Sequence, residues 1–185
     1  ILQCSGIGDS DRLSAAGVET VHSLPGVGRN LQDHLQIRLV FETSERTLND
    51  ELNNPFKQFK VGLQYILTRT GPLTLAASQV AIFTRSNPEV ERPDIQFHMQ
   101  PLSADKPGDG VHPYSAFTAS VCQLRPFSRG EIWIKSTDPF EYPEIHPNYL
   151  SDERDCKVAV DGIKVAREIA SAPALEPHII CERAP

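Results

Sequence analysis

The sequence has 185 residues, a formal net charge of -6 and 39% hydrophobic residues, which fits one domain or one domain with part of another. The charge is spread along the chain, which argues against a nucleic-acid-binding surface. The apolar runs are shorter than the roughly 18 residues that a transmembrane helix needs. The four cysteines form no CxxC pair, so we expect neither a metal site nor a disulfide framework, and a reducing cytoplasm fits.

The first predicted element is a short helix. Residues 9–11, DSD, supply an N-cap and early acidic side chains, and Gly17 suits the position just after a helix. Residues 25–34, PGVGRNLQDH, then concentrate glycines and hydrogen-bonding side chains, and they predict a tight turn. After this turn, the alternation over residues 37–42 predicts a half-buried strand.

A second helix is predicted after a polar loop at residues 43–53. Asn54 suits its N-cap and Pro55 its first turn. We expect the apolar face of this helix to pack in the core, the alternative being a membrane surface or a partner helix. The face comprises Phe56, Phe59, Leu63, Ile66 and Leu67.

Two strand candidates follow at residues 79–85 and 94–100. In the second, apolar side chains alternate with polar ones, so Gln96, His98 and Gln100 share one face. A sheet face with these side chains is either solvated or lines a polar cavity. The residues alone leave both alternatives open.

The remainder predicts a long loop, a hairpin and a final helix. The loop covers residues 103–113, and the hairpin joins strands at 115–124 and 131–135. The last helix begins after Ser151 and ends before Pro173. Together, the predicted helices and strands indicate an α+β fold, with an antiparallel or mixed sheet of about five or six strands backed by helices and no complete Rossmann unit.

Several short motifs occur in order along nearly the whole chain. They are CSGIG at residues 4–8, PGVGRNLQDH at 25–34, QLRP at 123–126, SRG at 128–130, STDP at 136–139 and PNYLS at 147–151. Together they resemble the glucose-methanol-choline oxidoreductases, which are flavoenzymes. The resemblance implies FAD as cofactor and an alcohol as substrate, with the hydroxyl proton removed by a base and hydride passed to the flavin.

The resemblance also implies what this chain lacks. Neither glycine pair completes GxGxxG, because Asp11 and Leu31 stand at the third glycine positions. The family's catalytic histidine and its Asn or His companion lie C-terminal to these residues, so we expect no catalytic residue here. Because the sequence also begins with Ile1, we expect an excised fragment that is inactive alone and binds no FAD by itself.

By resemblance, residues 1–34 correspond to the trailing part of the flavin-binding half and residues 35–185 to an incomplete substrate-binding domain. The expected partners are the missing FAD-binding portions of the same protein and a small alcohol. Peripheral contact with the inner membrane stays open for the full enzyme. The expected cofactor-adjacent residues are Gly28, Asn30, Leu31, Asp33 and His34, and the expected substrate-pocket residues are Gln79, Gln96 and His98.

The resemblance leaves two classes of substrate open, choline and a neutral alcohol or polyglycol. In choline-handling relatives a glutamate aligns with Gln79, where its charge can attract a quaternary ammonium. The neutral amide of Gln79 lacks that charge but can hydrogen-bond a hydroxyl or ether oxygen, as expected for a neutral alcohol or polyglycol. The alternative function is a stand-alone small-molecule binding module without redox chemistry. No GxSxG motif supports a hydrolase.

Overall fold

The computed structural model describes residues 1–106 and 108–185, so the predicted loop at 103–113 is described except at position 107. The α-helices over these residues are α1 Ser10–Ala15, α2 Leu48–Leu52, α3 Pro55–Thr68 and α4 Glu153–Ala170. The strands are β1 Ile7–Gly8, β2 His22–Ser23, β3 Arg29–Leu31, β4 Gln36–Thr43, β5 Val80–Thr84, β6 Ile95–Gln100, β7 Ala116–Gln123, β8 Gly130–Trp133, β9 Glu144–His146 and β10 Ile179–Ala184.

The chain divides into two compact units. Unit 1 comprises Ile1–Leu35 and Arg125–Lys157, and unit 2 comprises Gln36–Leu124 and Val158–Pro185. The chain therefore leaves unit 1 one residue after the predicted boundary at residue 34. It later returns to unit 1, which the sequence did not lead us to expect. The correspondence of residues 1–34 to a flavin-binding half stays a prediction.

Unit 2 is built on a five-stranded antiparallel sheet in the order β10-β4-β7-β6-β5. The predicted α+β class, with an antiparallel sheet of about five strands and helices, is confirmed. One face of the sheet forms the main core with the C-terminal part of α4. Its buried members are Leu39, Phe41, Ile95, Phe97, Ala119, Val121, Ala166 and Ala170.

Small residues let α4 lie close to this sheet. Ala166 and Ala170 are buried, and a Cβ atom at Gly162 would lie 3.0 Å from a methyl carbon of Val121. The helix therefore packs on the sheet through its C-terminal part, whereas Val160 is half exposed. The helix begins at Glu153 rather than just after Ser151, because the Asp152 carboxylate accepts the backbone N–H of Arg154 at 3.0 Å and caps the first turn.

Unit 1 contains a parallel pair, β1 with β2, and an antiparallel sheet in the order β3-β8-β9. The predicted hairpin between residues 115–124 and 131–135 is therefore wrong. Strand β7 pairs with β4 and β6, whereas β8 pairs with β3 and β9. The two strands do not form a hairpin because β4 and β6 occupy both edges of β7. In the intervening turn, the backbone N–H groups of Phe127 and Ser128 donate to the Asp155 carboxylate.

Two expectations for residues 43–68 also need correction. Part of the predicted loop is helix α2, which begins with a capping box formed by Thr47 and Asp50. The apolar face of α3 does not pack in the core: Phe56 is 88% exposed and Ile66 68% exposed. The helix instead buries Val61, which lies on its other side.

Candidate functional site

The first candidate region is the sheet face of unit 2 that lies opposite α4. The strand register places His98 of β6 opposite Ser120 of β7 and opposite Ala81 of β5, and it places Arg38 of β4 opposite Ser120. Directly opposite residues share a face of the sheet. A row of polar side chains therefore crosses the three inner strands.

Neighbouring rows continue this polar surface. Gln96 lies opposite Cys122 and Gln100 lies opposite Thr118. The Thr118 hydroxyl is fully buried and donates to the carbonyl of Leu102 at 2.8 Å. The Gln96, His98 and Gln100 side chains are half-buried rather than fully exposed. That they line a polar cavity stays a prediction.

Ser120 is the unusual member of this face. Its side chain is fully buried, and its Oγ atom finds no hydrogen-bond partner among the residues that the structure describes. A buried hydroxyl without a partner costs free energy of about 1–3 kcal/mol. Sequence reasoning missed this residue, because a serine in a central strand is ordinarily explained by packing.

Gln79 lies one residue before β5, at the edge of the same sheet. Its backbone N–H donates to the carbonyl of Met99 at 3.0 Å, which continues the β5–β6 pairing. Close by, the Gln100 side chain donates to the Ser78 hydroxyl at 3.3 Å. Of the residues predicted for the substrate pocket, Gln96 and His98 therefore lie on β6 and Gln79 lies just before the adjacent β5. Their contact with an alcohol stays a prediction.

The second candidate region is the glycine-containing turn of unit 1. Gly28 has φ +85°, and its carbonyl accepts the N–H of Ile132 at 2.7 Å. A Cβ atom at Gly28 would collide with the Gln3 amide and with the Ile132 carbonyl. Gln3 itself donates to that carbonyl at 3.0 Å and accepts the N–H of Ile134 at 2.9 Å. Glycine is thus required here by both conformation and space.

The rest of this turn forms β3 and the segment after it. Asn30 has φ +58°, a left-handed conformation that asparagine tolerates well, and Leu31 pairs with Gly130. The Asp33 carboxylate accepts a hydrogen bond from the hydroxyl of Tyr149, and this bond raises the pKa of Tyr149. His34 lies between β3 and β4. The structure thus gives all five residues defined backbone positions, while their nearness to a cofactor stays a prediction.

The described residues do not form a dinucleotide cradle. The turn at Gly6 and Gly8 leads into α1, which has only six residues. The Asp9 carboxylate already accepts the N–H groups of Asp11 and Arg12 at 3.2 and 3.3 Å and pairs with the Arg29 guanidinium at 3.1 Å. These hydrogen bonds lower the pKa of Asp9. A pyrophosphate would meet a carboxylate there, so the residues present do not fit its binding.

The SRG motif at residues 128–130 has a structural explanation within unit 1. Asp155 is buried, and its carboxylate accepts the N–H of Phe127 at 2.9 Å and both the N–H and hydroxyl of Ser128 at 2.7 and 2.5 Å. Arg129 donates to three backbone carbonyls of its own turn. Gly130 lies against the carbonyls of His146 and Pro147. Arg129 therefore fixes its own turn rather than forming an anion site.

Other kinds of site are not seen in the part of the chain that the structure describes. No group of three or more His, Cys, Asp or Glu side chains there could hold a metal ion. The four cysteines are free thiols. Over residues 1–106 and 108–185, no helix combines the length and the apolar character that a membrane span requires.

Comparison with solved structures finds this fold in oxidoreductases. A variant of the formate oxidase from Aspergillus oryzae aligns with a TM-score of 0.84 at 23% identity, over 98% of this chain and 37% of that one. Pyridoxine 4-oxidase from Mesorbium loti aligns with a TM-score of 0.74 at 24% identity, over 100% of this chain and 32% of that one. These likenesses define the class of fold.

Sequence comparison then defines the family. The GMC oxidoreductase family model matches residues 126–184. The chain is 39% identical, over its whole length, to "Alcohol dehydrogenase [acceptor]" of Pseudomonas putida and 40% identical, over 96% of its length, to "Oxygen-dependent choline dehydrogenase" of Staphylococcus aureus. The chain belongs to the glucose-methanol-choline oxidoreductase family. It spans about a third of the length of these curated relatives, 34% and 31% respectively.

Proposed function

We propose that this chain is the substrate-binding part of an FAD-dependent oxidoreductase that acts on CH–OH groups, either alcohol dehydrogenase-like or choline dehydrogenase-like. The observation that carries the proposal is the continuous sequence match, along nearly the whole chain, to relatives that carry these two names. Bound in the longer protein, the flavin would accept a hydride from the carbinol carbon. The base and the dinucleotide cradle belong to polypeptide outside these residues.

The role proposed for this chain is to bind and orient the alcohol. The polar sheet face of unit 2 carries Gln96 and His98, with Gln79 at the edge of the same sheet. Amide and imidazole groups can both donate to and accept from a hydroxyl group, so they can hold it in one orientation. Orientation of this kind lowers the barrier without any covalent step on the protein.

Gln79 is the residue proposed to select between choline and a neutral alcohol. Its side chain carries no charge, and no Coulomb attraction to a quaternary ammonium arises from it. We expect calorimetry on the longer protein to show that Gln79→Glu increases affinity for choline relative to a neutral polyglycol. The matched control is Gln58→Glu, an exposed glutamine on α3. If choline preference does not rise in Gln79→Glu, the role of charge at this position is wrong.

We propose that the 185 residues alone are inactive and bind no FAD. The test mixes the purified chain with FAD and an alcohol and follows the visible flavin spectrum. We expect neither a perturbed spectrum nor alcohol-dependent bleaching. Turnover by this chain would contradict the proposal, whereas tight alcohol binding without flavin would favour a stand-alone binding module.

For the longer protein we propose a cytoplasmic location with peripheral contact to the inner membrane. The exposed apolar side of α3 in unit 2 supports the peripheral membrane contact. Fractionation of cells into cytosol and membranes, followed by a salt wash of the membranes, tests it. A protein that resists release by salt and requires detergent would contradict purely peripheral contact.

A further inference from the structure

Two buried hydroxyl groups on the same face of β7 differ in their hydrogen bonds. The Thr118 hydroxyl donates to the Leu102 carbonyl at 2.8 Å. The Ser120 Oγ atom, two residues further along, is closed to solvent and has no partner among residues 1–106 and 108–185. Such a group is costly in a stable fold, so its presence points to a role other than packing.

The strand register identifies the side chains that can satisfy the Ser120 hydroxyl. Ser120 lies opposite Arg38 of β4 and opposite His98 of β6, and the Cβ atoms of such pairs are about 4.5–5.5 Å apart. A guanidinium group only donates hydrogen bonds, and that of Arg38 is directed to the carbonyl of Asp105 at 3.4 Å. An imidazole nitrogen can accept a hydrogen bond. Of the two opposite side chains, His98 is therefore the acceptor for this hydroxyl.

The His98 side chain is free to turn towards Ser120. It is half-buried, and its imidazole has no hydrogen-bond partner in the part of the chain that the structure describes. Rotation of the ring therefore breaks no hydrogen bond. Because the Ser120 Oγ atom is closed to solvent, an alcohol that enters the polar face contacts His98 and not Ser120. Any effect of Ser120 on the alcohol is thus transmitted through the imidazole.

We propose that Ser120 is a positioning residue, which fixes the tautomer of His98 when an alcohol is bound. The Ser120 hydroxyl donates to one imidazole nitrogen, so the other nitrogen of the neutral ring carries the proton and donates to the alcohol oxygen. A donor held at this oxygen stabilises the negative charge that develops there as the hydroxyl proton is removed. This role rests on the proposed function and gives the direction of the hydrogen bond between His98 and the substrate.

Nitrogen NMR of isotope-labelled imidazole rings tests the tautomer directly. The sample is the longer protein with its flavin already reduced, to which choline or a neutral polyglycol is added without turnover. We expect the alcohol to shift His98 of the parent to a single neutral tautomer and to leave a mixture of both in Ser120→Ala. The signals that disappear in His98→Ala are those of His98. The same tautomer mixture in parent and Ser120→Ala would overturn the proposal.

The rate of flavin reduction tests the consequence for the reaction. Ser120→Ala should lower the limiting rate about tenfold and change the half-saturating alcohol concentration little, since the charge develops only in the transition state. In a His98→Ala background it should have no further effect, because Ser120 acts through His98. Additive losses in the double variant would overturn the proposal. The matched control is Ser171→Ala, at an exposed serine just after α4, which should react as the parent does.

Stability separates this role from a packing role. Removal of an unpaired buried hydroxyl leaves no group unsatisfied, so Ser120→Ala should keep or raise the denaturation midpoint of the chain. Thr118→Val, on the same strand and the same face, removes the hydrogen bond to the Leu102 carbonyl and should lower it. A fall in Ser120→Ala as large as that in Thr118→Val would mean that the Ser120 hydroxyl is bonded within the fold, and would overturn the proposal.

The role of Ser120 and the proposed function fail in different ways. Flavin that neither choline nor a neutral polyglycol reduces in the parent would contradict the proposed function. Equal limiting rates of reduction in the parent and in Ser120→Ala would overturn the role of Ser120 and leave the proposed function intact.

Discussion

Each of the two units is stabilised internally, and the kind of contact differs between them. In unit 2, large side chains such as Phe97 and Leu39 pack fully buried between a sheet and α4. In unit 1, defined polar contacts fix the turns: Asp155 binds the turn at Phe127 and Ser128, and Gln3 bridges to β8. Unit 2 should therefore respond chiefly to changes of volume, and unit 1 to changes of hydrogen-bonding groups or backbone conformation.

The largest effect is expected from Phe97→Ala in unit 2. Phe97 is 0% exposed, so its removal leaves a cavity and lowers the free energy of unfolding by about 3–5 kcal/mol. Chemical denaturation measures the loss, and hydrogen exchange should locate it in β4, β6 and β7. Phe83→Ala, on the 57% exposed side chain of β5, is the control and should change stability little. Comparable losses in both variants would contradict the assigned core.

The matching test in unit 1 is Asp155→Asn, which keeps volume and removes charge. The amide can no longer accept all three hydrogen bonds from Phe127 and Ser128, and we expect a loss of about 2–4 kcal/mol. Exchange should increase at the backbone N–H groups of those two residues. Glu153→Gln, at an exposed position of the same helix, serves as the control. An unchanged denaturation midpoint in Asp155→Asn would show that unit 1 does not depend on these bonds.

A glycine pair offers a sharper comparison within unit 1. Gly28→Ala places a side chain at φ +85° against the Ile132 carbonyl, and we expect it to cost about 1–3 kcal/mol. Gly26→Ala is the control, because nothing lies within 4 Å of a Cβ atom there. Thermal unfolding of both variants measures the difference. Equal melting temperatures would mean that the turn can relax without cost.

The smallest effect concerns the pH dependence of Tyr149. Its hydrogen bond to Asp33 raises the pKa of the phenol above the ordinary value of 10.0. A raised folded-state pKa means that the contribution to stability is complete below pH 10 and is lost as the pH rises through the folded-state pKa. Ultraviolet titration of phenolate absorbance should show a late-titrating component from Tyr149. It should disappear in Tyr149→Phe and move to lower pH in Asp33→Asn, and a titration unaltered by Asp33→Asn would contradict the bond.

Local patterns in the sequence predicted most individual elements. The cap at Asp9, the Asn54-Pro55 start of α3 and the alternation along β4 and β6 each involve neighbours in the chain. Such signals can be read from a single sequence because helix caps and hydrophobic periodicity involve only a few neighbouring residues. The missed helix α2 had a local signal too, the capping pair of Thr47 and Asp50.

The other errors concern contacts between distant residues. The hairpin between β7 and β8 looked reasonable from strand spacing, but pairing depends on which strands compete for each edge. The role of Asp155 was invisible because its partners lie 27 and 28 residues away. For the candidate site, the sequence placed Gln96 and His98 on one face, while only the strand register revealed Ser120 opposite His98.

The sequence by itself determined the α+β class, the family motifs and the positions of most helices and strands, because caps, glycines and alternation are properties of short segments. Tertiary structure alone decided the division into two units, the partners of each strand and the exposure of the apolar side of α3. The physical reason is that periodicity defines an apolar stripe on a helix but not what the stripe faces. What the stripe faces depends on which of the available surfaces packs against it most closely.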